Sequence, residues 1–212
     1  MSLQNNTTFI PFILSLFNMH KKITLIRHAQ SAANAGLATS DHATIPLTDL
    51  GYLQAANLPN KINIPPDLII VSPFLRARET AKPLINAFEN VPVEELFLIH
   101  EMNNLAPQNC ENMTGVERKP FVENYWNLCD PNYIDGEGAE SFVTFIRRVE
   151  NFVKILEAKK ERNIIIVGHG RFFQAVLFCM TNNNFVASKE MMSNFILYFT
   201  ENFISNTECI EL

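Results

Sequence analysis

The sequence predicts an α/β fold, a mostly parallel open sheet covered by helices on both faces in three αβα layers. Three observations predict it. Short β-branched runs recur along the chain, and segments with apolar residues at helical spacing lie between them. The third is size: 212 residues, 47% apolar and 18% charged, suffice for a large core.

In chain order, Lys22–Ile26 (KITLI) is the first strand. Thr48 is placed to cap a helix that runs through Leu53 and Ala56 and stops at Pro59. Leu68–Val71 (LIIV) is the second strand; the Ser72-Pro73 turn leads from it into a helix over Phe74–Phe88. Glu94–Ile99 is a third strand candidate. Residues 102–140 hold prolines, asparagines and no clear strand, and are read as an insertion covering the site. Within it Thr114 and Glu117 have capping-box spacing, but Pro120 falls inside the helix that would follow, so the helix is expected to start at Pro120. Ser141 is an N-cap for a helix near 141–160, with Phe142, Phe145, Val149, Phe152, Val153 and Leu156 on one face. Asn163–Val167 (NIIIV) is a strand, Phe172–Met180 a helix, and Asn194–Thr200 a last strand candidate.

Residues 1–20 are read as an N-terminal extension to a single domain over 21–212. Phe9–Phe17 is apolar but too short to span a bilayer. Its basic residues, Lys21 and Lys22, follow the run and no A-x-A site is present, which fits a secretory signal poorly. Met19 is a candidate natural start; the alternative is an extra helix packed on the domain.

The net charge of −5 argues against a general nucleic-acid binder, and no stretch predicts a membrane partner. Cys110, Cys129, Cys179 and Cys209 form no CxxC pair and are expected as free thiols in a cytoplasmic protein. The five histidines (His20, His28, His42, His100 and His169) show no i,i+4 spacing, so no metal or other cofactor is expected.

In sheets of this kind ligands sit beyond the carboxyl ends of the strands. Arg27 and His28 follow the first strand, Ser72 and Arg76 the second, and Gly168, His169 and Gly170 the fourth; His100 and Glu101 lie near the end of the third. Arg27 and Arg76 together offer forked donors for a tetrahedral dianion. An imidazole among those cations stays neutral and can attack phosphorus. Backbone amides at Gly170, where a helix opens, can add donors. Glu101 can protonate a leaving oxygen and then deprotonate water. Glu95, Glu111 and Glu117 are rivals for that role, and His100 is expected to face the other side of the sheet edge.

The string LIRHAQSAAN (25–34) resembles the signature of the histidine phosphatase superfamily, also called phosphoglycerate mutase-like. IPLTDLGYLQA (45–55), VSPFLRARETA (71–81) and VGHG (167–170) resemble further motifs of that family, in its order. The resemblance implies His28 as the phosphorylated nucleophile, with Arg27, Arg76, His169 and Asn34 around the phosphate and Glu101 as the acid. Ala29 departs from the family's usual glycine, and Gln30 from its usual glutamate. Gln30, Ser31 and Arg118 are further candidates for substrate contact, though Arg118 and Lys119 also suit a solvated basic pair.

The expected function is a metal-independent phosphatase that hydrolyses a small soluble phosphomonoester through a phosphohistidine. Its partner is then a small phosphorylated metabolite. A phosphomutase is the alternative on the same fold, although the longer basic insertion usual in the family's mutases is not visible. A non-catalytic module that binds a phosphorylated ligand is the alternative of another class.

Overall fold

The computed structural model describes residues 21–212. The readings of Phe9–Phe17 and Met19 lie outside them. Five strands form one sheet: β1 (Lys22–Arg27), β2 (Leu68–Val71), β3 (Val93–Glu95), β4 (Asn163–Gly168) and β5 (Cys209–Glu211), in spatial order β3-β2-β4-β1-β5. The first four are parallel; β5 pairs antiparallel with β1. Six α-helices accompany them among the described residues: α1 (Asp49–Ala56), α2 (Leu75–Ala87), α3 (Gly115–Leu128), α4 (Phe142–Ala158), α5 (Gly170–Asn182) and α6 (Lys189–Glu201). None is long and apolar enough to cross a membrane.

Alternation along the strands divides the core into two layers. Ile23 and Leu25, Leu68 and Ile70, and Ile164 and Ile166 face a cluster built on Phe142, Phe145, Val149 and Phe152 of α4 and on Phe172, Val176 and Cys179 of α5. Ile26, Ile69, Val71, Ile165 and Val167 face Ala77, Ala81 and Leu84 of α2 and Leu58 on the other side. Both faces are therefore dry, which is why the interior of the central strands β2 and β4 reads as a continuous apolar run and that of β1 is broken only by the buried Thr24.

The expected caps form. Thr48 accepts from the Gly51 amide and Ser141 from the Thr144 amide. The Thr114–Glu117 capping box is complete in both directions, and α3 begins at Gly115, not at Pro120. Pro120 removes one donor in the second turn, but that turn is exposed on its outer side, where water can satisfy the freed carbonyl.

Two strand expectations fail. Asn194–Thr200 lies inside α6, which starts at Ser188 as N-cap and buries Met191, Met192 and Phe195 at helical spacing. The run FILYFT has strand-like composition, and packing on α5 and α3 overrides it. Glu94–Ile99 splits into the short exposed edge β3 and a 3₁₀ turn at Phe97–Ile99.

Strand register positions the site. Arg27 pairs with Gly168 and Val71 with Val167, so β1 and β4 end level and β2 ends one residue short of them. The next residues of these three neighbouring strands are His28, Ser72 and His169, and register alone makes them neighbours.

Candidate active site

A cleft of about 320 Å³ opens at this edge. Arg27, His28, Ser31, Asn34, Arg76, Glu101, Arg118 and Gly170 line it. Eight residues singled out from sequence thus come together. His169 is fully buried beside them, its ring edge-to-face with that of His28 at 5.2 Å between centroids. Gln30 is absent from the wall. Its Oε1 accepts from Thr48 Oγ1 at 2.7 Å, tying the β1 loop to the cap of α1. The contact is close: a Cβ on Gly51 would meet the Gln30 carbonyl oxygen at 2.1 Å, so only glycine fits there.

His28 is buried, and both ring nitrogens are committed. Nδ1 lies 2.8 Å from the Ala29 carbonyl, which can only accept, so Nδ1 carries the proton. Nε2 then holds a lone pair, and Arg76 Nε–H donates to it at 3.1 Å. Burial, then the charges of Arg76 and Arg27, push the His28 pKa well below 6.5; the Ala29 bond opposes this. Ser72 Oγ lies 2.7 Å from His169 Nε2, whereas His169 Nδ1 is buried without a partner among the described residues. Burial and Arg76 likewise push the His169 pKa well below 6.5.

Arg76 is held on two sides. Nη1 donates to the His42 carbonyl at 2.6 Å, and the guanidinium lies 5.1 Å from the Phe74 ring centroid. Burial lowers its pKa to about 10, with Glu101 opposing, so it remains a cation at neutral pH. Arg27 lies 5.0 Å from the Phe203 centroid and donates through Nη1 to the Ile204 carbonyl. Asn34 Oδ1 accepts from Ser31 Oγ at 3.1 Å and Asn206 Nδ2 at 3.2 Å, which leaves its amide nitrogen as the end available to a ligand.

Glu101 sits at the amino end of α5. Oε1 accepts from the Met102 and Phe172 amides at 3.0 and 3.2 Å, and Oε2 from the Arg171 amide at 3.2 Å. Two of the first three α5 amides are thereby taken, leaving that of Gly170 for a ligand. The Glu101 loop is itself braced: Arg148, paired with Glu140 at 2.6 Å, donates to the His100 carbonyl at 3.0 Å. Glu95, Glu111 and Glu117 do not line the cleft. His100 packs between Phe74 and Phe97, behind the cleft wall. Arg118 donates to the Met113 carbonyl, to Thr39 and to His42 Nε2, so its donors stitch α3 to the facing loop. Tyr125 and Trp126 are core, packed on Phe142 and Phe195.

His42, Asn104, Arg171 and Gln174 line the cleft and went unnoticed in the sequence. His42 and Asn104 stand in loops without periodicity and carry no signal. Arg171 did carry one: a cation in the first turn of a helix opposes the macrodipole, so its presence there asks for another cause.

His28, His42, His100 and His169 all have lowered pKa values, with burial the largest cause in each. Below 6.5 the unfolded chain therefore binds more protons than the native one, and stability is lost as the pH is lowered. The thermal midpoint is expected to be highest above about pH 6.5 and to drop as pH is lowered to about 5. A midpoint flat across that window would show that these rings protonate freely when folded.

The model of the histidine phosphatase superfamily (branch 1) matches residues 23–193. The chain is 32% identical over 152 residues to an adenosylcobalamin/alpha-ribazole phosphatase of Escherichia coli K12, covering 70% of this chain and 73% of that protein. It is 24% identical over 194 residues to a 2,3-bisphosphoglycerate-dependent phosphoglycerate mutase of Bifidobacterium longum, covering 77% and 78%. The crystal structure of an alpha-ribazole phosphatase from Shigella flexneri superposes with a TM-score of 0.65 at 26% identity, covering 90% of this chain and 89% of that one. By motif, fold and site, the chain belongs to the histidine phosphatase superfamily, branch 1.

Proposed function

We propose that this protein hydrolyses a small soluble phosphomonoester without a metal ion, through a phosphohistidine at His28. The observation that carries the reading is the fixed tautomer of His28: a lone pair on Nε2, 3.1 Å from Arg76, in the wall of a cationic cleft. A phosphate dianion entering the cleft gives the Arg76 N–H a better acceptor, which frees the lone pair. Nε2 then attacks phosphorus in line as the ester P–O bond breaks. Arg27, Arg76, the Asn34 amide, the Gly170 amide and the unpartnered His169 Nδ1 stabilise the equatorial oxygens. Ala29 accepts from Nδ1–H and so steadies the imidazolium that forms.

Glu101 supplies the proton to the leaving oxygen. Its Oε2, with a single amide partner, has the lone pair to carry that proton. Water then attacks the phosphoenzyme, Glu101 takes a proton from it, the P–N bond breaks, and phosphate leaves with His28 neutral again. Glu101→Gln is expected to lower kcat/KM roughly 10²-fold or more for alkyl phosphates. The loss for p-nitrophenyl phosphate, whose leaving group needs no proton, should be far smaller. Equal losses on both would remove Glu101 from this role.

Turnover should survive exhaustive treatment with a chelator, since guanidiniums stand where metal-dependent phosphatases place a cation. Complete loss in chelator, restored by Mg²⁺ or Zn²⁺, would contradict this. Among the described residues no cluster of three or more His, Cys, Asp or Glu could hold an ion. The segment 102–140 is an insertion that builds one wall of the cleft, through Asn104, Leu105 and Arg118. Free thiols at all four cysteines support a cytoplasmic location. The deciding assay is release of inorganic phosphate against formation of an isomer, on a panel of sugar phosphates and phosphoglycerates. Phosphate release supports the phosphatase; an isomer without release would make the protein a mutase.

A further inference from the structure

Three side chains lining the cleft carry a buried donor with no partner among the described residues: Arg27 Nε, which lies beside His28 at the phosphate end, and Arg171 Nε and Asn104 Nδ2. Arg171 Nη1 donates to Asn104 Oδ1 at 3.0 Å, so the two side chains form one polar unit. That bond also orients the Asn104 amide, committing its oxygen and leaving its nitrogen as a donor. The guanidinium is fixed by aromatic rings, 4.9 Å from the Phe199 centroid and 5.9 Å from that of Trp126. Buried donors without acceptors are costly, so a pair of them in a ligand cleft calls for an acceptor from outside the chain.

Charge points the same way. Arg27, Arg76, Arg118 and Arg171 line the cleft, and Glu101 is the carboxylate that faces them. A phosphate dianion engages Arg27 and Arg76. Arg118 spends its donors on the Met113 carbonyl, Thr39 and His42. Arg171 is the remaining cation, and it still has a donor to give. Its place in the first turn of α5, against the helix dipole, adds to the cost of keeping it there. A purely packing role needs no charge: a leucine or methionine would fill the space beside Phe199 and Trp126 without leaving a donor unpaired.

We propose that Arg171 and Asn104 receive a second anionic group of the substrate, a carboxylate or a second phosphate. The substrate class is then a phosphomonoester that carries a further oxyanion. This rests on the phosphatase reading above and narrows it. Arg171 and Asn104 determine specificity; neither acts on phosphorus.

The test is kcat/KM for a length series of phosphoryloxy-alkanoates, their primary amides and the matching alkanediol bisphosphates, with p-nitrophenyl phosphate as reference. At one length the charged ester is expected to exceed its amide by about tenfold or more. Whether the carboxylate or the bisphosphate gains more identifies the oxyanion. Arg171→Gln and Asn104→Ala should each pull the acid-to-amide ratio toward unity, and Arg171→Lys should keep part of it. Where Arg171→Gln is too unstable to assay, Asn104→Ala supplies the ratio. Variants that lower both esters equally, with the ratio unchanged, would reduce the pair to a structural role and overturn the inference. A wild-type enzyme that hydrolyses the reference ester, yet treats acid and amide alike at every length, would overturn it too and leave the phosphatase reading standing. Hydrolysis of none of these esters would overturn the phosphatase reading itself, and the inference with it.

Discussion

His28→Ala is expected to lower kcat/KM for any phosphomonoester by at least about 10⁴-fold. The loss is large because the ring has no substitute. His169 is fully buried and held at Nε2 by Ser72, and its Nδ1 serves as a donor to the phosphate, so it has no free lone pair with which to take over the attack. Water could attack phosphate bound to Arg27 and Arg76 directly, and that sets the residual rate. Phosphate binding itself should persist in His28→Ala, because the guanidiniums remain and Arg76 Nε–H is released from the ring. A variant that binds vanadate and fails to turn over would match this account. A loss of less than about tenfold would show that phosphorus is attacked from elsewhere.

Arg76→Ala is expected to cost about 10³-fold in kcat/KM, the scale of removing a preorganised cation from a phosphoryl-transfer site. Arg76→Lys should recover only part, since an ammonium restores charge without the fork or the bond from Nε to His28. A second consequence separates electrostatics from misfolding. Arg76 is the second-largest cause, after burial, of the lowered His28 pKa. Removing it raises that pKa, so more of the ring is protonated at a given acidic pH. The acid limb of the kcat/KM profile, which reports the free enzyme, should therefore move to higher pH in Arg76→Ala. An unshifted limb would mean that Arg76 does not act on His28 in solution.

The sheet and its ligand edge were readable because strands buried on both faces leave a plain trace: LIIV and the IIIV of NIIIV are unbroken apolar runs, ITLI is interrupted only by Thr24, and each is followed by a polar residue or glycine. Once those ends are aligned, Arg27, His28, Arg76 and His169 must meet, whatever the loops do. The misreading of Asn194–Thr200 has the opposite cause. FILYFT has the aromatic and β-branched content of a strand, and its helix is decided by Ser188 and by Phe195 packing on distant partners. β5 was missed because three residues, none fully buried, carry no periodicity; the edge of β1 recruits them. Pro120 misled in another way. The completed capping box outweighs one missing donor on an exposed turn, and local signals do not rank those two terms. The distal residues His42 and Asn104 depend on loop paths that the sequence does not encode at short range, whereas Arg171 stands in the first turn of α5, where a cation against the helix dipole was the signal.

Trapping the intermediate is the most direct measurement. Wild-type enzyme mixed with a ³²P-labelled phosphomonoester and quenched within one turnover should hold acid-labile, alkali-stable label. Peptide mapping should place that label at Nε2 of His28, and His28→Ala should hold none. Turnover with no label on the protein, or label that persists in His28→Ala, would contradict the account and return the chain to a site that binds phosphate without forming a bond to it.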